Sequence, residues 1–232
     1  SFIKENLNLN LPLSSKKVLI TAGPTHEKID NVRYISNYSS GKMGISLARV
    51  AAELGADVKL IIGPTNQEIN HSNVEIINVI SADQMYDSVL ENFSSTDITI
   101  CSAAVSDFKP KNPVNKKIKK GTGFNNIELI PNKDILLDIS KTKSLSQILV
   151  GFALESDNER NNAISKLTTK NLDLVVLNSL NDKDAGFGID TNKITLICSD
   201  RNIDEFESKS KYDVAKDIFN KILKIKKWNY SK

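Results

Sequence analysis

The sequence predicts an α/β fold: a Rossmann-like, doubly wound, mostly parallel sheet with a C-terminal antiparallel hairpin extension. Short apolar segments rich in β-branched residues alternate with amphipathic helical patterns along most of the chain. That order is typical of parallel strands joined by helices. The alternation stops late in the chain, where two short strand patterns flank a turn signal at 199–202 and predict a β-hairpin.

The predicted elements follow one another regularly. Strands are predicted at 18–20, 56–62, 74–80, 97–104, 127–130, 147–154 and 172–177, and the hairpin strands at 193–198 and 203–207. Helices are predicted after residue 41 to about 54, and at 81 to about 92, 132–139, 156 to about 170 and from about 210 onward. Ser81 with Gln84 and Ser156 with Glu159 have capping-box spacing, and Asn132 is a candidate N-cap.

Composition excludes several classes of protein. The 232 residues are 40% hydrophobic and 25% charged, and no apolar run approaches the ~20 residues of a membrane-spanning helix. The net charge of +3 is small, and the basic residues are not interleaved with aromatic ones, which argues against nucleic acid. Cys101 and Cys198 form no C-x-x-C motif, so we expect a cytoplasmic protein without a disulfide framework.

Domain organisation is predicted to be simple. Residues 1–16 are polar, rich in asparagine and without a helical period, so we interpret them as a linker or leader. Residues 17–232 are predicted to form a single nucleotide-binding domain, long enough to bury a substantial core.

Residues 17–44 have the layout of a nucleotide-phosphate site. An apolar strand stops at Gly23, and a polar loop then leads through Ser39 and Gly41 into a helix. Unpaired N–H groups at a helix N-terminus favour phosphate, and glycine lets a ligand approach the backbone. The loop is too long for the G-x-G-x-x-G fingerprint, so an ordinary dinucleotide dehydrogenase is not indicated.

Polar residues follow several other predicted strands. In an open parallel sheet, ligands bind outside the carboxyl ends of the strands. Gly23, Asp107, Glu155 and Asn178 all fall at or near such ends. The residues at 109–125 are rich in lysine and include Pro110, Pro113, Gly121 and Gly123, which predicts an exposed loop or flap.

Together these motifs closely resemble bacterial phosphopantothenoylcysteine synthetase, the cysteine-ligating half of the fused decarboxylase/synthetase of coenzyme A biosynthesis. The resemblance covers residues 17–225. The motifs that carry it are Gly23-Pro-Thr25, Asp30, Val32-Arg-Tyr-Ile-Ser-Asn37, Ser39-Ser-Gly-Lys-Met-Gly44, Ala103-Ala-Val-Ser-Asp107, Lys117-Ile-Lys-Lys120, Gly151-Phe-Ala153 with Glu155, and Lys170-Asn-Leu-Asp173.

The resemblance implies a phosphopantothenate–cysteine ligase. CTP would activate the carboxylate of phosphopantothenate as an acyl-cytidylate with release of pyrophosphate, and the amine of cysteine would then displace CMP. It also implies Mg²⁺ or Mn²⁺, with no metal ligands identified, and a homodimer with active sites near the interface. No flavin-dependent decarboxylase half lies within these residues, so 1–16 would be the tail of an interdomain linker.

The resemblance further implies roles for individual residues. Catalytic roles fall on Asn37, Lys117 and Arg33. Substrate-binding roles fall on Asp30, Asn37, Ala104, Lys119 and Lys120. Nucleotide-binding roles fall on Gly23, Ser39, Gly41, Cys101, Ser102, Ala103, Asp107, Lys117, Lys133, Asp134, Ile135, Leu136, Phe152, Lys166 and Lys170. Lys133 departs from the commoner family pattern, in which proline is frequent at this position.

Other interpretations of the same residues stay open at the level of sequence. Lys117 could belong to a solvated charged face, Lys166 and Lys170 could interact with the helix dipole, and Asn37 could be a turn residue. A nucleotide-sensing module without chemistry would also fit. A short-chain NAD(P)-dependent oxidoreductase would need a Tyr-x-x-x-Lys dyad on a helix, which is absent at a suitable position: Tyr34 and Tyr38 lie in the loop, and Tyr212 precedes Lys216 in the last helix.

Overall fold

The structure, a computed structural model, describes residues 11–120, 125–182 and 188–225. Its strands are β1 (Lys17–Ala22), β2 (Glu27–Lys28), β3 (Tyr34–Ile35), β4 (Asp57–Ile62), β5 (Val74–Asn78), β6 (Ile98–Cys101), β7 (Phe108–Pro110), β8 (Leu129–Pro131), β9 (Ile148–Glu155), β10 (Leu174–Ser179), β11 (Thr191–Asn192), β12 (Thr195–Cys198), β13 (Ile203–Glu205) and β14 (Lys209–Ser210). Its helices are α1 (Lys42–Glu53), α2 (Ala82–Phe93), α3 (Ile135–Thr142), α4 (Glu159–Thr169) and α5 (Lys211–Ile225).

One sheet of eight strands organises the described chain, in the order β13-β12-β10-β9-β6-β1-β4-β5. Neighbours from β5 to β10 pair in parallel, whereas β12 is antiparallel to both β10 and β13. The predicted fold class is therefore confirmed, including the C-terminal hairpin, which is formed by β12 and β13. The strand order reverses between β1 and β6, since the chain builds the sheet outward in opposite directions from this pair.

Both faces of the sheet are covered by helices, which is the usual arrangement for a parallel sheet. On one face, Val18 and Ile20 of β1 belong to the same buried cluster as side chains of α1 and α5. On the other, Leu19 belongs to a cluster that includes residues of α2, α3 and α4. This alternation follows from the two-residue period of a strand.

Two of the three predicted helix caps differ from the structure. The capping box of Ser81 and Gln84 is confirmed at the start of α2. The prediction for Ser156 was wrong: α4 has Asn158 as its N-cap, in the left-handed region at φ 44°, without a side-chain cap hydrogen bond. Asn132 was also wrong as a cap. Asp134 caps α3 by accepting from the Leu137 N–H at 2.9 Å.

The ends of the domain and of β6 also depart from the predicted positions. Leu13 is fully buried and its N–H donates to the Leu54 carbonyl at 2.8 Å, so the packed structure begins before Lys17. Residues 1–10 of the predicted linker lie outside the described residues. The strand predicted at 97–104 ends at Cys101, because beyond it Ala104 pairs with Pro24 in an isolated bridge.

Among the helices described, none has both the length and the apolar character to cross a membrane.

Gly44 lets the start of α1 approach the end of β1 closely. A Cβ atom at this position would lie 2.3 Å from the Cβ of Ala22 and 3.1 Å from the Oγ of Ser102. Such contacts are far shorter than van der Waals distance, so any side chain would push α1 away from the sheet. The glycine therefore sets how near the helix N-terminus lies to the strand ends.

We expect Gly44→Ala to destabilise the protein. Glycine to alanine inside a helix usually stabilises by about 0.5–1 kcal/mol, but overpacking a well-packed site typically costs about 1–3 kcal/mol, so the clash should win. Urea unfolding followed by circular dichroism measures the change. Arg49→Ala, on the exposed side of the same helix, should stay within about 0.5 kcal/mol of the parent. A Gly44→Ala protein as stable as the parent would contradict the close packing.

Candidate functional site

The crevice at the reversal point between β1 and β6 is the place where open α/β sheets bind ligands. The loops that follow these two strands are hydrogen bonded to each other. The N–H of Ala104 donates to the Gly23 carbonyl at 2.9 Å, and the N–H of Ser106 donates to Thr25 Oγ1 at 3.0 Å. Two cavities open on either side of this connection.

The first cavity, here called the cationic cleft, has a volume of about 290 Å³. It gathers residues from the end of β6, the middle of β9, the start of α3 and the end of α4. Its lining is Thr21, Cys101, Ala103, Ala104, Val105, Ser106, Asp107, Asn132, Lys133, Asp134, Ile135, Leu136, Phe152, Lys166 and Lys170. Most of the residues predicted from the resemblance to bind nucleotide therefore meet in one place.

Lys166 supplies the most buried positive charge in the cationic cleft. Its Nζ donates to the Phe152 carbonyl at 2.6 Å, and it forms no ion pair among the described residues. Burial lowers the pKa of Lys166, and the neighbouring Lys170 lowers it further. Burial destabilises the charged form of the Lys166 ammonium. A bound anion would stabilise that charged form, so the site favours an anionic ligand.

Asp134 connects Lys170 to the start of α3. Lys170 Nζ donates to Asp134 Oδ2 at 2.7 Å, while Oδ1 of the same carboxylate accepts from the N–H of Leu137. Burial by itself would raise the pKa of Asp134, but the hydrogen bonds from Lys170 and Leu137 outweigh it and hold this pKa below its ordinary value. Asp134 thus stays ionised and fixes the position of Lys170.

Cys101 lies in the cationic cleft as a neutral thiol. Burial raises the pKa of Cys101 to about 12, against the smaller opposing effect of Lys166 and Lys170. Only the thiolate is a good nucleophile, so Cys101 is not poised for attack at neutral pH.

The second cavity, here called the helix-end cavity, lies on the α1 side and has a volume of about 150 Å³. The start of α1 forms one wall, with Gly41 as N-cap at φ 77° and no side-chain cap hydrogen bond. The full lining is Ser39, Ser40, Gly41, Lys42, Met43, Gly44, Ser102, Ala103, Ala104, Phe152, Ala153, Leu154, Asn178, Asn192 and Lys211. Ala103, Ala104 and Phe152 line both cavities and form a shared waist.

The structure thus divides the predicted nucleotide-binding residues. Ser39, Gly41 and Ser102 line the helix-end cavity and not the cationic cleft. Gly23, at φ 75°, lines neither of the two cavities but supports the crevice from behind, packed against Gly63. Sequence reasoning missed Asn192 and Lys211: Asn192 belongs to no recognisable motif, and Lys211 lies at the start of a helix that is otherwise a simple amphipathic pattern.

Asp30 holds together the loop after β1 and the flap. Its side chain is fully buried and accepts from the backbone N–H groups of Val32, Arg33 and Ile118 at 2.7, 2.8 and 3.1 Å, as well as from Arg33 Nη1 at 3.1 Å. Burial would raise the pKa of Asp30, yet these donors keep it below the ordinary value. Substrate binding by Asp30, as the resemblance implies, would have to replace one of these contacts.

The flap lysines do not line either cavity in the described part of the chain. Lys117, Lys119 and Lys120 are exposed on a segment that docks onto the loop after β1. In that docking, Val114 N–H donates to the Ile29 carbonyl at 3.1 Å, and Arg33 reaches the Ile118 carbonyl at 3.5 Å. Gly121 and Gly123, predicted to flank the flap, lie outside the described residues.

Asn37 is placed beside the waist. Its Nδ2 donates to the carbonyls of Ala104 and Val105 at 3.0 and 3.2 Å. Because Ala104 lines both cavities, the amide of Asn37 lies next to one of the segments that the two cavities share.

Metal binding by side chains alone has no support in the described ranges. They contain no group of three or more His, Cys, Asp or Glu side chains that could hold an ion. Of the predicted nucleotide-binding carboxylates, Asp134 is occupied by Lys170, whereas Asp107 is exposed at the edge of the cationic cleft.

Removing the charge of Asp30 should loosen the flap. In the parent, the backbone N–H groups of Val32, Arg33 and Ile118 donate to the Asp30 carboxylate. In Asp30→Asn, the side-chain Nδ2 is itself a donor and would face some of these donors instead of accepting from them. We expect trypsin to cleave after the lysines at 116–120 faster than in the parent, as followed by mass spectrometry. Asp57→Asn, at the exposed start of β4, is the matched control and should leave the cleavage rate unchanged. Equal rates in all three proteins would show that Asp30 does not hold the flap.

Comparison with known proteins places the domain in a family. The family model DFP, the DNA/pantothenate metabolism flavoprotein C-terminal domain, matches residues 13–225. A crystal structure of the C-terminal domain of the coenzyme A biosynthesis bifunctional protein CoaBC shares 37% identity with a TM-score of 0.78, covering 92% of this chain and 96% of that one.

Curated relatives are longer than this chain. The coenzyme A biosynthesis bifunctional protein CoaBC of Bacillus subtilis is 44% identical over 216 residues, which are 93% of this chain and 53% of the relative. A cysteine/cysteine sulfinic acid decarboxylase from an unknown prokaryotic organism is 50% identical over 225 residues, 97% of this chain and 63% of the relative. The resemblance to phosphopantothenoylcysteine synthetases is confirmed: the chain belongs to the DNA/pantothenate metabolism flavoprotein C-terminal domain family.

Proposed function

We propose that this domain is a phosphopantothenate–cysteine ligase that uses CTP. The observation that carries the proposal is the pair of cavities that meet at Ala103, Ala104 and Phe152, since a ligation in two steps needs an activated acyl group reachable from two sides. The similarity to the C-terminal domain of CoaBC, which this chain covers to 96%, supports it. One relative is named a cysteine/cysteine sulfinic acid decarboxylase, but this chain covers only 63% of that protein. We therefore do not apply the decarboxylase name to this chain.

The nucleotide is assigned to the cationic cleft. Lys133, Lys166 and Lys170 supply positive charge for a triphosphate there, and Lys166 lacks a carboxylate partner among the described residues. Asp107 is exposed at the edge and could accept from ribose hydroxyls or from the cytosine amine. Preference for CTP over ATP comes from the resemblance to the bacterial family.

In the first step, an oxygen of the phosphopantothenate carboxylate bonds to the α-phosphorus of CTP while the bond to the β-phosphate oxygen breaks. Pyrophosphate leaves with the electron pair, and the product is the acyl-cytidylate. Lys166 and Lys170 stabilise the negative charge that builds up on the phosphates. Lys117 would join them if the flap closes over the cleft, and Lys119 and Lys120 would contact phosphopantothenate, as the resemblance implies.

A divalent metal, Mg²⁺ or Mn²⁺, belongs to the proposal as the partner of CTP. Mg²⁺ is usually held by substrate phosphates, waters and one or two carboxylates rather than by an all-protein cage. When bound, the metal would neutralise phosphate charge during the first step.

In the second step, the amine of cysteine attacks the acyl carbon. A C–N bond forms, the bond between the acyl carbon and the phosphate oxygen breaks, CMP leaves with the electron pair, and the amine loses one proton to solvent. Negative charge develops on the acyl oxygen in the transition state. The Asn37 amide, beside Ala104, could donate to that oxygen by giving up its longer bond to Val105. One such donor is typically worth ~3 kcal/mol of barrier.

A homodimer, a cytoplasmic location and a fused flavin-dependent decarboxylase domain complete the proposal. The chain spans about half to two thirds of the length of its curated relatives, so such a partner domain is consistent with them. Val32, Phe108 and Leu129 are apolar side chains about half exposed near the flap. This apolar surface supports self-association next to the active site.

The proposal is tested by mixing the protein with CTP, phosphopantothenate, cysteine and Mg²⁺. We expect stoichiometric pyrophosphate, CMP and phosphopantothenoylcysteine, and pyrophosphate but little CMP when cysteine is omitted. A nucleotide-sensing module would bind CTP without releasing pyrophosphate. No pyrophosphate at saturating substrate would therefore exclude the ligase.

Asn37→Asp should separate the two steps. The variant loses the donor beside the waist, so the second step should slow by roughly a hundredfold, the usual cost of one lost transition-state donor, while pyrophosphate release continues. Quenched reactions analysed by mass spectrometry should show accumulated acyl-cytidylate. Asn70→Asp, an exposed residue away from both cavities, is the control and should turn over normally. Full turnover by Asn37→Asp would remove Asn37 from the mechanism.

A further inference from the structure

Glu27 is a buried carboxylate that the proposed mechanism does not use. It lies in β2, which pairs with β3 to form a hairpin in the loop after β1, and it is 3% exposed. Its Oε1 accepts from the backbone N–H of Ala82 at 2.9 Å, although the two residues are 55 positions apart in the sequence. A carboxylate is rarely buried without a specific partner, so this hydrogen bond is a fixed point between two distant segments.

The partner of Glu27 is the first residue of α2. The N–H groups of a first turn have no carbonyl partner inside the helix and need one from outside. The N-cap Ser81 accepts from the N–H of Gln84, whereas the N–H of Ala82 donates to Glu27. The positive end of the helix dipole strengthens a hydrogen bond to a carboxylate at this place. Local sequence therefore caps one donor of α2, and the hairpin after β1 caps another.

A second hydrogen bond docks the hairpin onto the same connection between β5 and α2. The N–H of His26 donates to the Ile80 carbonyl at 2.8 Å. The ring of His26 also stacks on Tyr34 of β3, with ring centroids 3.7 Å apart. Residues 26 and 27 are thus tied to residues 80–82, and the stack holds β3 against β2. The base of the hairpin is therefore fixed relative to the sheet.

The hairpin carries groups to which the resemblance gives catalytic roles. Arg33 lies near its tip, where the guanidinium pairs with Asp30, and the chain runs from β3 directly to Asn37. The flap docks on the same hairpin, where Lys28 Nζ donates to Asn115 Oδ1 at 3.0 Å. A shift of the hairpin would therefore move Arg33 and the flap together and would pull on the segment that leads to Asn37.

The cationic cleft is built from other elements. Its charged side chains Asp134, Lys166 and Lys170 come from the start of α3 and the end of α4. None of the residues that line the cleft belongs to the hairpin at 26–35. Loss of the contact between Glu27 and Ala82 should therefore leave the cleft intact while it displaces the hairpin.

We propose that Glu27 is a positioning residue for the ligation, because its bond to the Ala82 N–H sets the position of the hairpin relative to the nucleotide in the cationic cleft. Through the hairpin it positions Arg33, Asn37 and the flap, and it contacts no substrate itself. The inference rests on the proposed ligase function and deepens it by assigning a residue outside both cavities to the reaction. The competing interpretation is that Glu27 only caps α2 and so stabilises the fold without affecting turnover by the folded protein.

The test compares Glu27→Leu with Glu27→Gln in the full chain. Titration calorimetry gives the affinity for CTP, and turnover with phosphopantothenate, cysteine and Mg²⁺ is expressed per CTP-binding molecule. Glu27→Leu should keep the CTP affinity within about twofold and lose turnover by roughly a hundredfold, the effect that a small displacement by a distant mutation can have. Glu27→Gln should bring turnover back to within about tenfold of the parent, because its amide oxygen can still accept from the Ala82 N–H. Glu91→Leu, on the exposed side of α2, is the matched control and should change neither quantity.

Normal turnover per CTP-binding molecule in Glu27→Leu would leave Glu27 as a cap only and would overturn the inference. A parallel loss of CTP affinity and turnover would overturn it as well, because the contact would then not act through the hairpin alone. Ala82→Pro gives the same comparison if Glu27→Leu fails to fold, since it removes the N–H donor at the first helical position, where proline is tolerated. Absence of pyrophosphate with the parent protein is a different result, because it removes the proposed function itself.

Discussion

The hydrogen bonds that join the loop after β1 to the loop after β6 are the constraint on which the site depends. Without the bonds from Ala104 to Gly23 and from Ser106 to Thr25, the two strand ends would open into one wide crevice. With them, the crevice is divided into two cavities that share Ala103, Ala104 and Phe152. Gly44 adds to this by letting the start of α1 come close to the same strand ends.

Charge is distributed unequally between the two cavities. The cationic cleft holds Lys166, whose pKa is lowered by burial and by the neighbouring Lys170, and Lys170 itself is fixed by an aspartate that also caps a helix. The helix-end cavity relies on the helix dipole, one lysine and two amides. A triphosphate suits the first, and the second is smaller, with a volume of about 150 Å³. The reaction that we propose uses both, since activation and ligation occur on opposite sides of one acyl group.

Much of this could be predicted from the sequence because it depends on local patterns. The alternation of apolar segments with helical patterns predicts the strands, and the turn signal at 199–202 predicts the hairpin. The polar residues at the strand ends predict the cationic cleft. The capping predictions at Ser156 and Asn132 failed because several polar residues stood close together and tertiary contacts decided among them. Asn132, for example, donates to the Ser106 carbonyl at 2.8 Å instead of capping a helix. Asn192 could not be found, since its importance comes from long-range packing that brings a two-residue strand beside α1.

The measurement that tests the account most directly is the fate of the carboxylate oxygen. Phosphopantothenate labelled with ¹⁸O in its carboxylate is converted with CTP and cysteine, and the products are analysed by mass spectrometry. Attack on the α-phosphorus followed by displacement of CMP places one ¹⁸O atom in CMP. Label in the released pyrophosphate, or in neither nucleotide product nor pyrophosphate, would contradict an acyl-cytidylate formed at the boundary between the two cavities.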